Sequence, residues 1–416
     1  MKRKNIRVFT YLMVCMLVCC VAFVPTAAVA EKEPIKIGVI YVLSGAHAMY
    51  GKNAVAATEI AIDEINKGGG VLGRKLSYIA RDDKMNPEVG LREAKDLVLN
   101  QKVSLLSGVL SSGVALAISA YAKENKVIFF NSMAHTPKLT NEEGHRYFFR
   151  WCTNSTTQHH SGAKACAKYW GDKKVVTVAP DYEYGKSFHR IWWKNYPRYV
   201  PGAVNAGEIW VPLGTKDMTP YITKLMGLDA QLVACALFGG DQIAWAKQAA
   251  PFGTYKKFHF YGASDGDTYA LHPVKRGEPG TEGAIACDRF PYWMAITPKS
   301  AAFTKKFKEK TGRVPVFDAL CHYISIHAFK DAAEKAGSLD TEKIIDALEG
   351  GIFDTALGKI EMRACDHQFQ TPLWIGFMGY TPDFPYMHIT QLEKFDNPYA
   401  NYDTCKEAME LRKKKR

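Results

Sequence analysis

Ile35-Lys36-Ile37-Gly38-Val39-Ile40-Tyr41-Val42-Leu43 is an apolar run that ends at the turn pair Ser44-Gly45, and residues 54–66 then carry apolar side chains at helical spacing. Gly68-Gly69-Gly70 closes that helix, because glycine accepts the left-handed conformations in which helices end. A second apolar strand, residues 75–80, follows at once. Strand, helix and strand in this order predict a right-handed βαβ unit with parallel strands.

The alternation continues outward from this unit. Helix 87–99, strand 103–110, helix 114–125 and strand 127–131 complete one doubly wound lobe, with helices covering both faces of a parallel sheet. The pattern restarts after Trp151: helix 157–170, strand 174–179, helix 184–196, strand 207–211, helix 219–228, strand 231–238, helix 242–250 and strand 257–262. A second lobe of the same kind is expected, without any short-period sequence repeat. From Lys299 onward the reading changes to helices 299–311, 318–336 and 341–348, then a hairpin-like segment 355–368 and a strand 373–380. These late elements complete lobes already begun, so the expected division is 31–150 plus 284–356 for one lobe and 151–283 plus 357–405 for the other.

Residues 1–30 form an export signal: Lys2, Arg3, Lys4 and Arg7, an apolar run over 8–24, then Ala28-Val29-Ala30 before Glu31. A lipoprotein signal at Cys20 is the weaker alternative, since Leu17-Val18-Cys19 lacks the small residue such cleavage prefers. The chain is therefore expected outside the cytoplasm, in the periplasm.

The formal net charge is +12, but four of the cations lie in the export signal and five form the tail Arg412, Lys413, Lys414, Lys415 and Arg416. What remains is close to balanced, which argues against a nucleic-acid partner. The tail 406–416 reads as a solvated basic end. Seven cysteines lie beyond the signal, an odd number in a compartment that permits disulfides, so at least one stays reduced or pairs between chains.

The sequence contains no nucleophile elbow, zinc-protease helix, phosphate loop or kinase set. No cofactor, metal or catalytic residue is expected. The adjacent His159 and His160 point about 100° apart on a helix and read as a solvated helix start. What stands out is a set of small polar loops just past predicted strand ends, where open α/β sheets bind ligands: 44–50, 111–113, 131–136, 180–184 and 238–240, with Asp265 after the strand ending at Gly262. Serine hydroxyls and helix-start amides suit an anion such as a carboxylate, and an acidic side chain opposite suits an ammonium.

These residues carry a resemblance. Ile35 through Ser44-Gly45, Tyr50-Gly51, Asp63-Glu64-Ile65-Asn66, Gly73-Arg74-Lys75-Leu76, Asp82-Asp83 with Pro87, residues 108–112, Thr136-Pro137-Lys138-Leu139-Thr140 and Asp181-Tyr182-Glu183-Tyr184-Gly185 occur in an order that resembles the branched-chain amino acid binding proteins of ABC importers. The resemblance spans nearly the whole exported chain. It implies the type I periplasmic binding fold, two α/β lobes joined by a three-crossing hinge that close on a ligand. It also implies that Tyr50 lines the entrance, that Ser111, Ser112, Met133 and His135 hold a carboxylate, and that Tyr184, Phe238 and Asp265 close from the other lobe, Asp265 facing an ammonium.

His135, Met133 and Phe238 depart from the residues typical of that family. A bulkier, less polar wall follows, so an aromatic amino acid, an amide or an aromatic carboxylate competes with leucine-like ligands, and His135 is expected to add positive charge in mild acid. The implied function is capture of an amino acid or related small carboxylate for a membrane permease, not catalysis. A sensory binding protein and a secreted enzyme are the alternatives.

Overall fold

The computed structural model describes residues 32–262, 280–395 and 403–415. In the first lobe β1 (Ile35–Tyr41) runs parallel to β2 (Leu76–Asp82) on one side and to β3 (Leu105–Gly108) on the other. β4 (Phe129–Asn131) and β5 (Phe148–Arg150) extend the sheet to the order β2-β1-β3-β4-β5. Helices α1 (Ala48–Lys67), α2 (Pro87–Leu99) and α3 (Ser112–Asn125) join these strands. β1 is buried along almost its whole length, and its near-continuous apolar composition is the signature of a parallel strand covered on both faces.

The second lobe repeats the scheme. It contains α4 (Ser155–Tyr169), β6 (Lys174–Pro180), α5 (Glu183–Tyr199), β7 (Val204–Val211), α6 (Thr219–Met226), β8 (Leu232–Cys235), α7 (Gly239–Ala249), β9 (His259–Gly262) and β10 (Ile285–Asp288). The parallel order β7-β6-β8-β9-β10 matches β2-β1-β3-β4-β5 position by position. Two doubly wound lobes are thus present, as the alternating pattern predicted.

α8 (Pro298–Thr311), α9 (Phe317–Ala336) and α10 (Thr341–Leu348) return to the first lobe, where α9 and α8 pack on α1. Glu64 of α1 accepts from Tyr323 at 2.7 Å and Lys306 at 2.7 Å. The hairpin β11 (Ile352–Thr355) and β12 (Gly358–Glu361) follows, and β13 (Leu373–Gly379) then adds antiparallel to β10. β14 (His388–Ile389) and β15 (Glu393–Phe395) pair with β13. Among the described residues no helix is long and apolar enough to cross a membrane.

Two sequence expectations are corrected. Residues 284–288 were assigned to the first lobe, but β10 pairs with β9 and β13 inside the second sheet. The chain leaves that lobe only after Asp288. The basic end 406–416 was read as solvated tail; instead α11 (Cys405–Lys415) is a helix fastened by the Cys365–Cys405 disulfide. Its Arg412 donates to the carbonyls of Thr140, Asn141 and Cys365 at 2.8, 3.1 and 3.1 Å. Cys152, Cys166, Cys235, Cys287 and Cys321 are buried thiols.

Candidate functional site

In each sheet the strand order reverses beside the lobe's opening strand, β1 and β6, and open α/β sheets hold ligands at the carboxyl ends of such strands. A small cavity lies there, lined by Tyr50, Leu110, Ser112, Met133 and His135 of the first lobe and by Tyr182, Tyr184, Phe238 and Arg289, which follow strands of the second.

Tyr50 and Tyr184 are delivered by one device used twice. Each precedes a glycine near a helix start; a methyl group at Gly51 would stand 2.0 Å from the Val42 carbonyl oxygen, and one at Gly185 would stand 1.9 Å from that of Pro180. Only a residue without Cβ lets the helix sit this close to the strand end. The tyrosine beside it is thereby held at the crevice.

Aromatic rings from the two lobes interlock across the cavity. Phe238 lies edge-on to Tyr184 at 5.7 Å and to Tyr50 at 6.3 Å, and His135 lies edge-on to Tyr184 at 6.0 Å. Ala46 and His47 of the first lobe abut Gly239 and Gly240 at the start of α7, and the His47 ring bonds the Phe238 backbone. Beside the cavity, Thr136 and Lys138 each donate to Glu183 at 2.9 Å. The lobes are closed on each other.

Arg289 supplies the charge. It is 1 % exposed, donates from Nη1 to His135 Nε2 at 3.1 Å, and lies 4.8 Å over the Phe317 ring. A guanidinium has no acceptor, so His135 accepts at Nε2 and carries its proton on Nδ1. Burial, and then the charges of Arg289 and Arg150, hold His135 well below the ordinary histidine range. The expectation that His135 becomes cationic in mild acid is thus reversed: a second positive charge beside Arg289 in a dry site is unfavourable. His159, expected at a solvated helix start, is fully buried against Phe188 and also lowered, to about 3, by burial and Arg289.

His47 Nε2 stands 3.9 Å from Asp241, yet burial lowers His47 to about 4 and raises Asp241 to about 6. Near neutral pH His47 is therefore uncharged. Among the described residues that line the cavity, Arg289 alone is charged.

Six of the expected residues, Tyr50, Ser112, Met133, His135, Tyr184 and Phe238, come together around the cavity. Ser111 does not line it; it stands at the N-cap position of α3, just before the first turn, without a side-chain capping hydrogen bond. Asp265 lies outside the described residues. Sequence reasoning missed Leu110 and Arg289, and included Tyr182 only as part of the loop 180–184. Arg289 had a readable signal: the apolar run 284–287 followed by Asp288-Arg289 is another strand with polar residues at its carboxyl end.

Residues 34–378 match the family model for periplasmic binding proteins. The chain belongs to this family. The periplasmic binding protein is 28% identical over 353 residues to the Leu/Ile/Val-binding protein BraC3 of Rhizobium johnstonii, covering 83% of this chain and 90% of that one. A solute-binding protein of an ABC transporter from Rhodopseudomonas palustris BisB5, solved with 3,4-dihydroxybenzoic acid, superposes with a TM-score of 0.78 at 23% identity, over 88% of this chain and 98% of that one. The leucine-binding protein LivK of Thermotoga maritima superposes with a TM-score of 0.75 at 21% identity, over 87% and 99%. The expected fold and the expected role, solute capture for an ABC importer, agree with these likenesses.

Proposed function

We propose that this periplasmic binding protein captures a small aromatic carboxylate between its lobes and hands it to an ABC permease in the inner membrane. The observation that carries this reading is Arg289, a buried guanidinium on a cavity whose other walls are aromatic and apolar side chains with the uncharged Ser112 and His135. Guanidinium matches a carboxylate in a two-bond fork, and aromatic walls favour a ring at the other end. The α3 amides beside Ser112 add a second group of donors for the same anion.

In this reading residues 1–30 direct export and are removed, and the clamp works in the periplasm without making or breaking a bond. The ligand bridges a lobe built on 34–150 with 289–348 and a lobe built on 155–288 with 373–395, so binding favours the closed form. The experiment is a thermal-shift panel of benzoate, 4-hydroxybenzoate, leucine and phenylalanine, since ligand at 100 times its dissociation constant adds about 2.7 kcal/mol. Stabilisation by the benzoates is expected. Stabilisation by leucine with none by the benzoates replaces this reading with amino-acid capture, the one that BraC3 and LivK carry in their names.

A further inference from the structure

The segment 403–415 ties together the two sides of the hinge. Asp403 Oδ2 accepts from Asn141 Nδ2 of the first lobe at 2.9 Å and from Thr156 Oγ1, in the first turn of α4 in the second lobe, at 3.1 Å. One carboxylate oxygen therefore bridges the lobes. Its backbone carbonyl accepts from Arg363 at 2.9 Å, on the strand of chain that crosses back to the second lobe. That crossing is itself stitched to the first one: Gln368 donates to the Cys152 carbonyl at 2.7 Å, and the Arg150 and Phe369 backbones pair.

The segment is anchored at both ends. Cys405 is bonded to Cys365 of the same crossing, and Arg412 reaches the carbonyls of Thr140 and Asn141. The guanidinium seats against Gly144, where a methyl group would stand 2.4 Å from Nη2. A helix needing only a place to end does not require a disulfide, a half-buried carboxylate bridge and a glycine cradle.

We propose that segment 403–415 is a clasp that sets the balance between open and closed lobes. Rotation at the hinge moves Thr156 relative to Asn141, and the shared oxygen of Asp403 holds both only in the closed arrangement. The clasp so favours closure before any solute arrives, which lowers the cost of closing on one. The proposal rests on hinge closure but not on the identity of the solute.

The test therefore uses the solute-free protein, with amide exchange measured at Gly239 and Gly240, which are covered by Ala46 and His47 when the lobes meet. Asp403→Ala, Thr156→Val and the double change Cys365→Ser with Cys405→Ser are compared with the parent. Exchange about tenfold faster is expected in Asp403→Ala, the scale of one hydrogen bond to a charged group. Thr156→Val, which leaves both anchors intact, should move in the same direction. Unchanged or slower exchange in Thr156→Val, with parent-like circular dichroism, overturns the proposal, and that variant decides the matter if Asp403→Ala does not fold.

Discussion

Arg289 and His135 act as one group. The neutral imidazole takes one guanidinium hydrogen bond and so fixes the plane of the fork. Under the proposed function, Arg289→Met should weaken 4-hydroxybenzoate binding by about 2–5 kcal/mol, because the ligand carboxylate is then buried without its partner. Titration calorimetry reads this directly. Arg289→Lys should recover little, since an ammonium lacks the planar pair of donors. His135 was legible from its place after β4, but its charge state was not: that depends on Arg289, 154 positions away in the chain and 3.1 Å away in space.

At the scale of elements, the two Tyr-Gly pairs show how the lobes aim matching side chains. Gly51→Ala and Gly185→Ala each push a methyl group onto a strand carbonyl, so the helix start must shift. Each should cost about 1–3 kcal/mol, the usual scale of overpacking, measured as a lower urea midpoint. Both pairs were legible as loop motifs. α11 was not: its composition is that of a solvated helix end, and what orders it is a disulfide to a cysteine 40 residues earlier together with Arg412. Replacing both cysteines by serine should cost about 4 kcal/mol from the entropy of the released loop, checked by the same denaturation.

For the whole molecule, buried histidines set the response to acid. Burial lowers His47 to about 4 and His159 and His322 to about 3. Unfolded histidines titrate near 6.5, so below that pH the unfolded chain binds protons that the folded one refuses. Stability is therefore fully present above about pH 6.5 and falls toward pH 4, by up to about 1.4 kcal/mol per pH unit for each histidine. Asp83 and Asp241, raised to about 6 by burial, oppose this, because their folded forms hold extra protons between 3.8 and 6. Three histidines, with His135 shifted in the same sense, outweigh two aspartates. Melting temperatures should drop between about pH 6.5 and about pH 4.5 in calorimetry, and a flat profile over that range rejects the account.

By itself the sequence determined the two α/β lobes and most of the crevice, since hydrophobic periodicity is local and strand ends fall where apolar runs stop. Ile35 to Tyr41 declares a doubly covered strand within its own residues, and the loops carrying Tyr50, Ser112, His135, Tyr184 and Phe238 follow directly. Only the tertiary structure decided which sheet takes residues 285–288, that Arg289 is the charge in the cavity, and that the basic end of the chain is pinned across the hinge. The reason is the same in each case. Pairing partners, desolvation and cross-links join residues distant in sequence, and no local pattern records how strongly a charge will be buried or what will stand beside it.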